Sequence, residues 1–294
     1  MLVLEGHAGT VNAVAFTPDG EMLASAGKDG MVRLWAPPSE LASLSLHPDG
    51  VNAVAFSSDG RYLATGGNDQ LVRVLDARSQ LVLFTSEQQK HAVSTIGFAG
   101  EGTVVFGMGE RPGPVARPST LSLLDLVSGK SRRFPFDVVN GIRALASLPQ
   151  RKLVAWATDT KLLRVQDVSR PPGKAAILKN DCRALCLSHN GQKLAVASDW
   201  EILIFDLDRW PSQPMTLGRH QGTVSALTFA ADAQTLLSGS WDGTVRVWDL
   251  ERAAQVASFT WPVGNRVTAL AVSSDGLRAT AAGDLGTIVV WDLD

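Results

Sequence analysis

The chain has 294 residues, 45% of them hydrophobic and 19% charged, with 14 prolines, a composition able to bury a sizeable core and unlike that of a disordered chain. Its 27 basic and 29 acidic residues leave a formal charge of -2, spread without runs, which offers no cationic field to a nucleic acid or an anionic membrane. The N-terminal MLVLEGHAGT lacks a basic n-region and a useful apolar run, and no apolar stretch reaches the ~18 residues of a membrane span, so the expected location is intracellular, in the cytoplasm.

In chain order, Leu2–Leu4 reads as a short strand ahead of Gly6-His7. Residues 11 to 35, VNAVAFTPDGEMLASAGKDGMVRLW, then hold three apolar runs of strand length, one ending at Phe16, one around Leu23-Ala24 and one alternating up to Trp35. Asp19-Gly20 between the first two is a hairpin signal, because both residues tolerate the positive φ of a tight reversal. Residues 51 to 75, VNAVAFSSDGRYLATGGNDQLVRVL, repeat the stretch without a gap and place Asp59-Gly60 at the same turn. Weaker copies follow: VSTIGF (93 to 98) to LSLLD (121 to 125), which is stretched; IRALAS (142 to 147) to LLRVQD (162 to 167); and CRALCL (182 to 187) to ILIFD (202 to 206). A gap-free copy returns at 224 to 248, VSALTFAADAQTLLSGSWDGTVRVW, and VTALAV (267 to 272) to TIVVWD (287 to 292) ends the series. Asn190-Gly191 and Asp275-Gly276 mark the hairpin turn in the later copies.

The third runs end at Trp35, Leu75, Leu124, Gln166, Phe205, Trp248 and Trp291, spaced 40, 49, 42, 39, 43 and 43 residues apart. Seven units of this period, each with four short strands and two of them closing on Trp-Asp, resemble the WD40-repeat family of β-propellers over essentially the whole chain. The resemblance implies an all-β fold, a seven-bladed β-propeller of four-stranded antiparallel blades, filling residues 1–294 as one domain. The approximate repeats are 5–43, 44–85, 86–132, 133–173, 174–214, 215–258 and 259–294 plus 1–4. One such sheet cannot bury both faces alone, so each packs on the next around a central channel. The last unit shows only three strands, which predicts that Leu2–Leu4 supplies the fourth, with residues 1–5 pairing with 287–293.

Polar residues recur at fixed offsets: His7, Ser25, Asp29 and Trp35 in the first unit, and His220, Ser238, Asp242 and Trp248 in the sixth. The second unit has His47, Thr65 and Asp69 but Leu75 in place of the tryptophan. A nucleophilic site is assembled once, in one cleft with an oxyanion hole, whereas this set recurs. The family resemblance implies a structural tetrad in which indole, hydroxyl, imidazole and carboxylate are hydrogen-bonded in a chain. Units three, four and five lack the histidine, and unit seven has Leu285 at the aspartate position.

In this family the loops from strand four to the next strand one, and from strand two to strand three, share one face. That face is expected to carry Lys28, Asn68, Trp200 and Trp241 at the second-to-third turns, with Trp261 in the loop 261–266. A tryptophan cluster rimmed by Arg219 and Arg266 suits a protein or peptide ligand, while each Trp could instead pack over its own blade. The stretched third unit adds GMGERPGPVARPST (107–120), with Arg111 and Arg117, as either a binding loop or a tolerated excursion on the same face. Trp210 falls on the opposite face and reads as a local staple.

The two cysteines, Cys182 and Cys186, share one strand, where four residues place them ~13 Å apart, too far for a disulfide, which needs Cα atoms within ~7 Å. They read as buried apolar side chains. The innermost strands supply no His, Asp or Glu, so no metal or catalytic ligand set converges on the axis. The expected function is a non-catalytic protein–protein interaction platform without cofactors, a monomer or a subunit of a larger complex, contacting neither nucleic acid nor membrane. The alternatives are a sensor or regulatory module for a small molecule and, further off, an enzyme using the channel.

Overall fold

The structure, a computed structural model, describes residues 1–109, 121–134, 141–170 and 174–293. Among them are seven antiparallel four-stranded sheets, the seven blades of a propeller. The innermost strands are Val11–Phe16, Val51–Phe56, Val93–Gly100, Ile142–Leu148, Cys182–Leu187, Val224–Phe229 and Val267–Val272. In each of blades 1 to 6 the next three strands follow in chain order toward the outside. Blade 7 takes Arg278–Gly283 and Ile288–Asp292 and then receives Leu2–Leu4 as its outermost strand, with Leu2 opposite Val290 and Leu4 opposite Ile288. The ring is thus closed by the N-terminal strand, as the repeat pattern predicts.

Blade stacking follows from which side chains the second strands carry. One position there is small in every blade: Ala26, Gly66, Gly107, Ala157, Ala197, Gly239 and Ala282. It is matched on the next blade by the apolar first residue of the innermost strand, Val51, Val93, Ile142, Cys182, Val224, Val267 and Val11, all at most 1% exposed. A Cβ on Gly66 would lie 2.4 Å from Val93 Cγ1, and one on Gly239 would lie 2.5 Å from Val267 Cγ1. Glycine is needed there for close approach of two sheets, not for an unusual φ. Cys182 belongs to this apolar column, and burial pushes both thiols up to about 12. Both cysteines are free, and Cys186 Sγ accepts the Phe229 amide of the next blade.

Second strands such as Leu23–Gly27 are buried throughout, while outermost strands such as Ala254–Thr260 are exposed at nearly every residue. The core therefore lies as a set of seams between blades. Leu4, Val11, Leu23 and Trp35 meet Ala282, Ile288 and Val290 in the seam that closes the ring. No helix among the described residues is long and apolar enough to cross a membrane.

Candidate partner-binding face

Among the described residues, three blades carry a hydrogen-bonded set of histidine, hydroxyl and aspartate that runs from a strand out to the loops. In blade 1, Trp35 Nε1–H donates to Ser25 Oγ at 2.9 Å, Ser25 Oγ lies 2.8 Å from His7 Nε2, and His7 Nδ1 lies 3.0 Å from Asp29. Blade 6 has the same geometry in Trp248, Ser238, His220 and Asp242, at 2.8, 2.7 and 3.0 Å. Blade 2 joins His47 to Thr65 at 2.9 Å and to Asp69 at 2.7 Å. Leu75 is buried where the indole would be, and Arg73 donates a further bond to Asp69.

Burial pushes the pKa of His7, His47 and His220 down, against the upward pull of their aspartates. Each ring is therefore neutral near pH 7, and the Asp contact is a hydrogen bond of neutral imidazole. One direction of donation then satisfies every atom in blades 1 and 6: indole N–H to hydroxyl oxygen, hydroxyl O–H to Nε2, Nδ1–H to carboxylate. Desolvation works to raise the aspartates, but amide and side-chain donors outweigh it and hold Asp29, Asp69 and Asp242 below the usual carboxylate range, Asp242 at about 2. Ser25, Thr65 and Ser238 are 0% exposed, so these hydroxyls face no site where a substrate could sit. Blade 7 fills the corresponding offsets with Val263, Ala281 and Leu285, and Val263 packs in one apolar cluster with Trp291.

The channel mouth is built by a feature common to all seven innermost strands. Each pairs with its neighbour through a register shift between its first and third residues. Such a bulge leaves one residue out of the ladder and re-aims its side chain. The residues released are Asn12, Asn52, Ser94, Arg143, Arg183, Ser225 and Thr268. Five donate to the first carbonyl of the next blade's innermost strand, at 2.5 to 3.0 Å: Asn12 to Val51, Asn52 to Val93, Ser94 to Ile142, Ser225 to Val267 and Thr268 to Val11. Arg143 and Arg183 break this pattern. Arg143 turns to Asp159 of its own blade, and the Arg183 guanidinium carbon lies 4.6 Å from the centroid of the Trp241 ring. A cavity of about 360 Å³ opens here, lined among others by Asn12, Asn68, Arg143 and Arg183.

Trp241 is half-buried at its turn, with Arg266 on its ring as well, at 4.9 Å. Arg219 is exposed at the end of Met215–Arg219 and is not on that ring; its carbonyl accepts from Arg246. Trp200 is 47% exposed, and its carbonyl accepts the His220 amide. Trp261 lies against Phe259 and Trp291, at 5.4 and 5.3 Å between centroids, with Nε1 buried and without a hydrogen-bond partner. Lys28 is exposed beside Thr10, whose carbonyl takes the Lys28 amide; Asn68 accepts from Asn52 and donates to the Asp49 carbonyl. Trp210 meets Phe205 edge-on and donates to the Lys174 carbonyl. Arg111, Arg117 and the rest of 110–120 lie outside the described residues. Arg143 and Arg183 were open to sequence reasoning: the second position of each aligned innermost strand reads Asn, Asn, Ser, Arg, Arg, Ser, Thr. Among the described residues no group of three His, Cys, Asp or Glu side chains is placed to hold a metal ion.

A family model described as "WD domain, G-beta repeat" matches residues 1–36, 38–76, 212–249 and 254–292. Among curated proteins, SEC12-like protein 2 of Arabidopsis thaliana is 28% identical over 260 residues, 85% of this chain and 54% of its own length. Target of rapamycin complex subunit wat1 of Schizosaccharomyces pombe is 37% identical over 110 residues, 37% of this chain and 34% of its own. Small ribosomal subunit protein RACK1y of Oryza sativa subsp. japonica is 40% identical over 76 residues, 25% of this chain and 22% of its own. The chain spans about half or less of the length of these relatives.

Proposed function

The chain belongs to the WD40-repeat family, and from that premise we propose that it is a non-catalytic platform that binds a protein or peptide on the face where Trp241 lies. The observation that carries this reading is the placement of Trp241. Its indole is held by two arginines, one of which, Arg183, lines an open polar cavity, and tryptophan and arginine are the residue types most enriched among binding hot spots. The side chains released at the mouth are Asn, Ser, Thr and Arg, suited to hydrogen bonding and charge recognition, with no general base among them. One relative is named as a target of rapamycin complex subunit and another as a small ribosomal subunit protein, which supports a place in a larger assembly. Cytoplasmic location is part of the same proposal.

The reading is tested by affinity capture with wild type beside a Trp200→Ala, Trp241→Ala double variant. Trp261 is left in place because it packs on Trp291, so its loss would disturb blade 7. Proteins retained by the wild type should be lost by the double variant at equal melting temperature. Recovery of the same partners by both would remove the proposed face.

A further inference from the structure

We propose that the channel mouth recognises a carboxylate of the partner, an Asp or Glu side chain on an acidic peptide segment, taken up by the guanidiniums of Arg183 and Arg266. This rests on the platform reading and gives it a chemistry.

The bulge ring shows which donors are free. Ser94, Ser225 and Thr268 spend their hydroxyl donors on the neighbouring blade, Asn12 and Asn52 each give it an amide donor, Asn52 gives another to Asn68, and Asn68 donates to the Asp49 carbonyl. They shape the mouth but are already engaged. The two seams that start from blades 4 and 5 have an arginine instead. Arg143 has a carboxylate at hand in Asp159. Arg183 and Arg266 have none within ion-pair distance among the described residues, and the Trp241 indole is the group that orients both.

Holding a guanidinium on a ring face differs from holding it in a salt bridge. The ring takes the face of the cation and leaves its in-plane N–H donors open, the edge that a carboxylate meets in a two-point fork. Two such cations sharing one indole repel each other, and an arriving anion relieves that repulsion while the aromatic platform keeps both in position. Asp159 lines the same cavity as Arg183, so the local field suits a singly charged carboxylate better than a dianionic phosphate. The two cations come from separate elements, Arg183 from the innermost strand of blade 5 and Arg266 from the residue before that of blade 7, an arrangement that suits a side chain projecting from an extended segment.

The test begins by selecting binders from a random heptapeptide display library on the immobilised full chain. Affinities of the enriched peptides are then measured by fluorescence anisotropy. The selected peptides should be rich in Asp and Glu, and changing those residues to Asn and Gln should weaken binding roughly tenfold or more, as for loss of a hydrogen-bonded charge. Arg183→Gln with Arg266→Gln should produce a similar loss at unchanged melting temperature, whereas Arg252→Gln, at a remote exposed turn, should leave affinity as it was. Peptides without acidic enrichment that bind the double glutamine variant as well as wild type would overturn the carboxylate and leave the platform standing. Acidic peptides indifferent to the two arginines would overturn their placement, and tighter binding when phosphoserine replaces the acid would assign the site to phosphate instead. Absence of any enriched peptide would count against both readings.

Discussion

Asp242 shows how much one side chain holds together in this architecture. Its carboxylate meets His220 Nδ1 and accepts the amides of Gln221 and Thr244 and the Thr244 hydroxyl, tying the loop that enters blade 6 to its second-to-third turn. Removing it leaves those donors partly buried without an acceptor, so Asp242→Ala should destabilise the protein by about 1–3 kcal/mol. Blade 7 shows the contrasting case, in which Val263, Ala281 and Leu285 stand at the same offsets. Where polar partners are exchanged together for apolar ones, the cost falls. Asp242→Ala made in a His220→Val background should therefore cost less than in the wild type, by about 0.5–3 kcal/mol in a urea double-mutant cycle. Strict additivity would show that the two residues do not act as a unit. These sets are readable in the sequence because each lies within one blade, at the offset from His7 to Ser25 to Asp29. The contact of Arg183 with Trp241 is not readable, because it joins two blades and depends on a bulge that no residue type announces.

Among the strands, Leu2–Leu4 has a role out of proportion to its length. It supplies the outer ladder of blade 7, and Leu4 is 3% exposed in the seam between blades 7 and 1. Burial of one leucine contributes about 1.5–3 kcal/mol, and losing the strand also bares the edge of Ile288–Asp292. Deletion of residues 1–5 should lower the melting temperature by about 5 °C or more, since 1 kcal/mol corresponds to roughly 2–4 °C at a somewhat smaller size; an unchanged melting curve would mean that the ring does not depend on this closure. The seven-fold period, the Asp-Gly turns and the innermost strands were all legible, since each rests on a local pattern of apolar residues and turn chemistry. The outermost strands of blades 3 and 4, Ser131–Arg133 and Ala175–Ile177, were not. They are three residues long, Ser131–Arg133 exposed throughout and Ala175–Ile177 mostly half-buried, and they exist because a neighbouring strand offers a ladder, with no alternation of their own to reveal them.

At the scale of the ring, the molecule divides into two arcs. The four repeats matched by the family model are blades 6, 7, 1 and 2, contiguous across the closure, and all three histidine sets fall among them. Among the described residues blades 3 to 5 show no such set, and blades 4 and 5 carry Arg143 and Arg183 at the mouth. The division has a consequence for pH. Burial lowers the folded-state pKa of His7, His47 and His220 below the ordinary 6.5, so below that value the unfolded chain binds protons that the folded chain refuses. Stability is therefore fully present above pH 6.5 and is lost as pH falls from there through the depressed folded values. Protonation of Asp242, held at about 2 against an ordinary 3.8, removes more at still lower pH. The melting temperature should accordingly fall between pH 7 and pH 5. Hydrogen exchange, corrected for its intrinsic pH dependence, should show protection declining first in blades 1, 2 and 6, with blades 3 to 5 changing less. A melting temperature that stays level over this range, or a loss of protection spread evenly around the ring, would show that the imidazoles are not held neutral by burial and that the two arcs respond to acid as one.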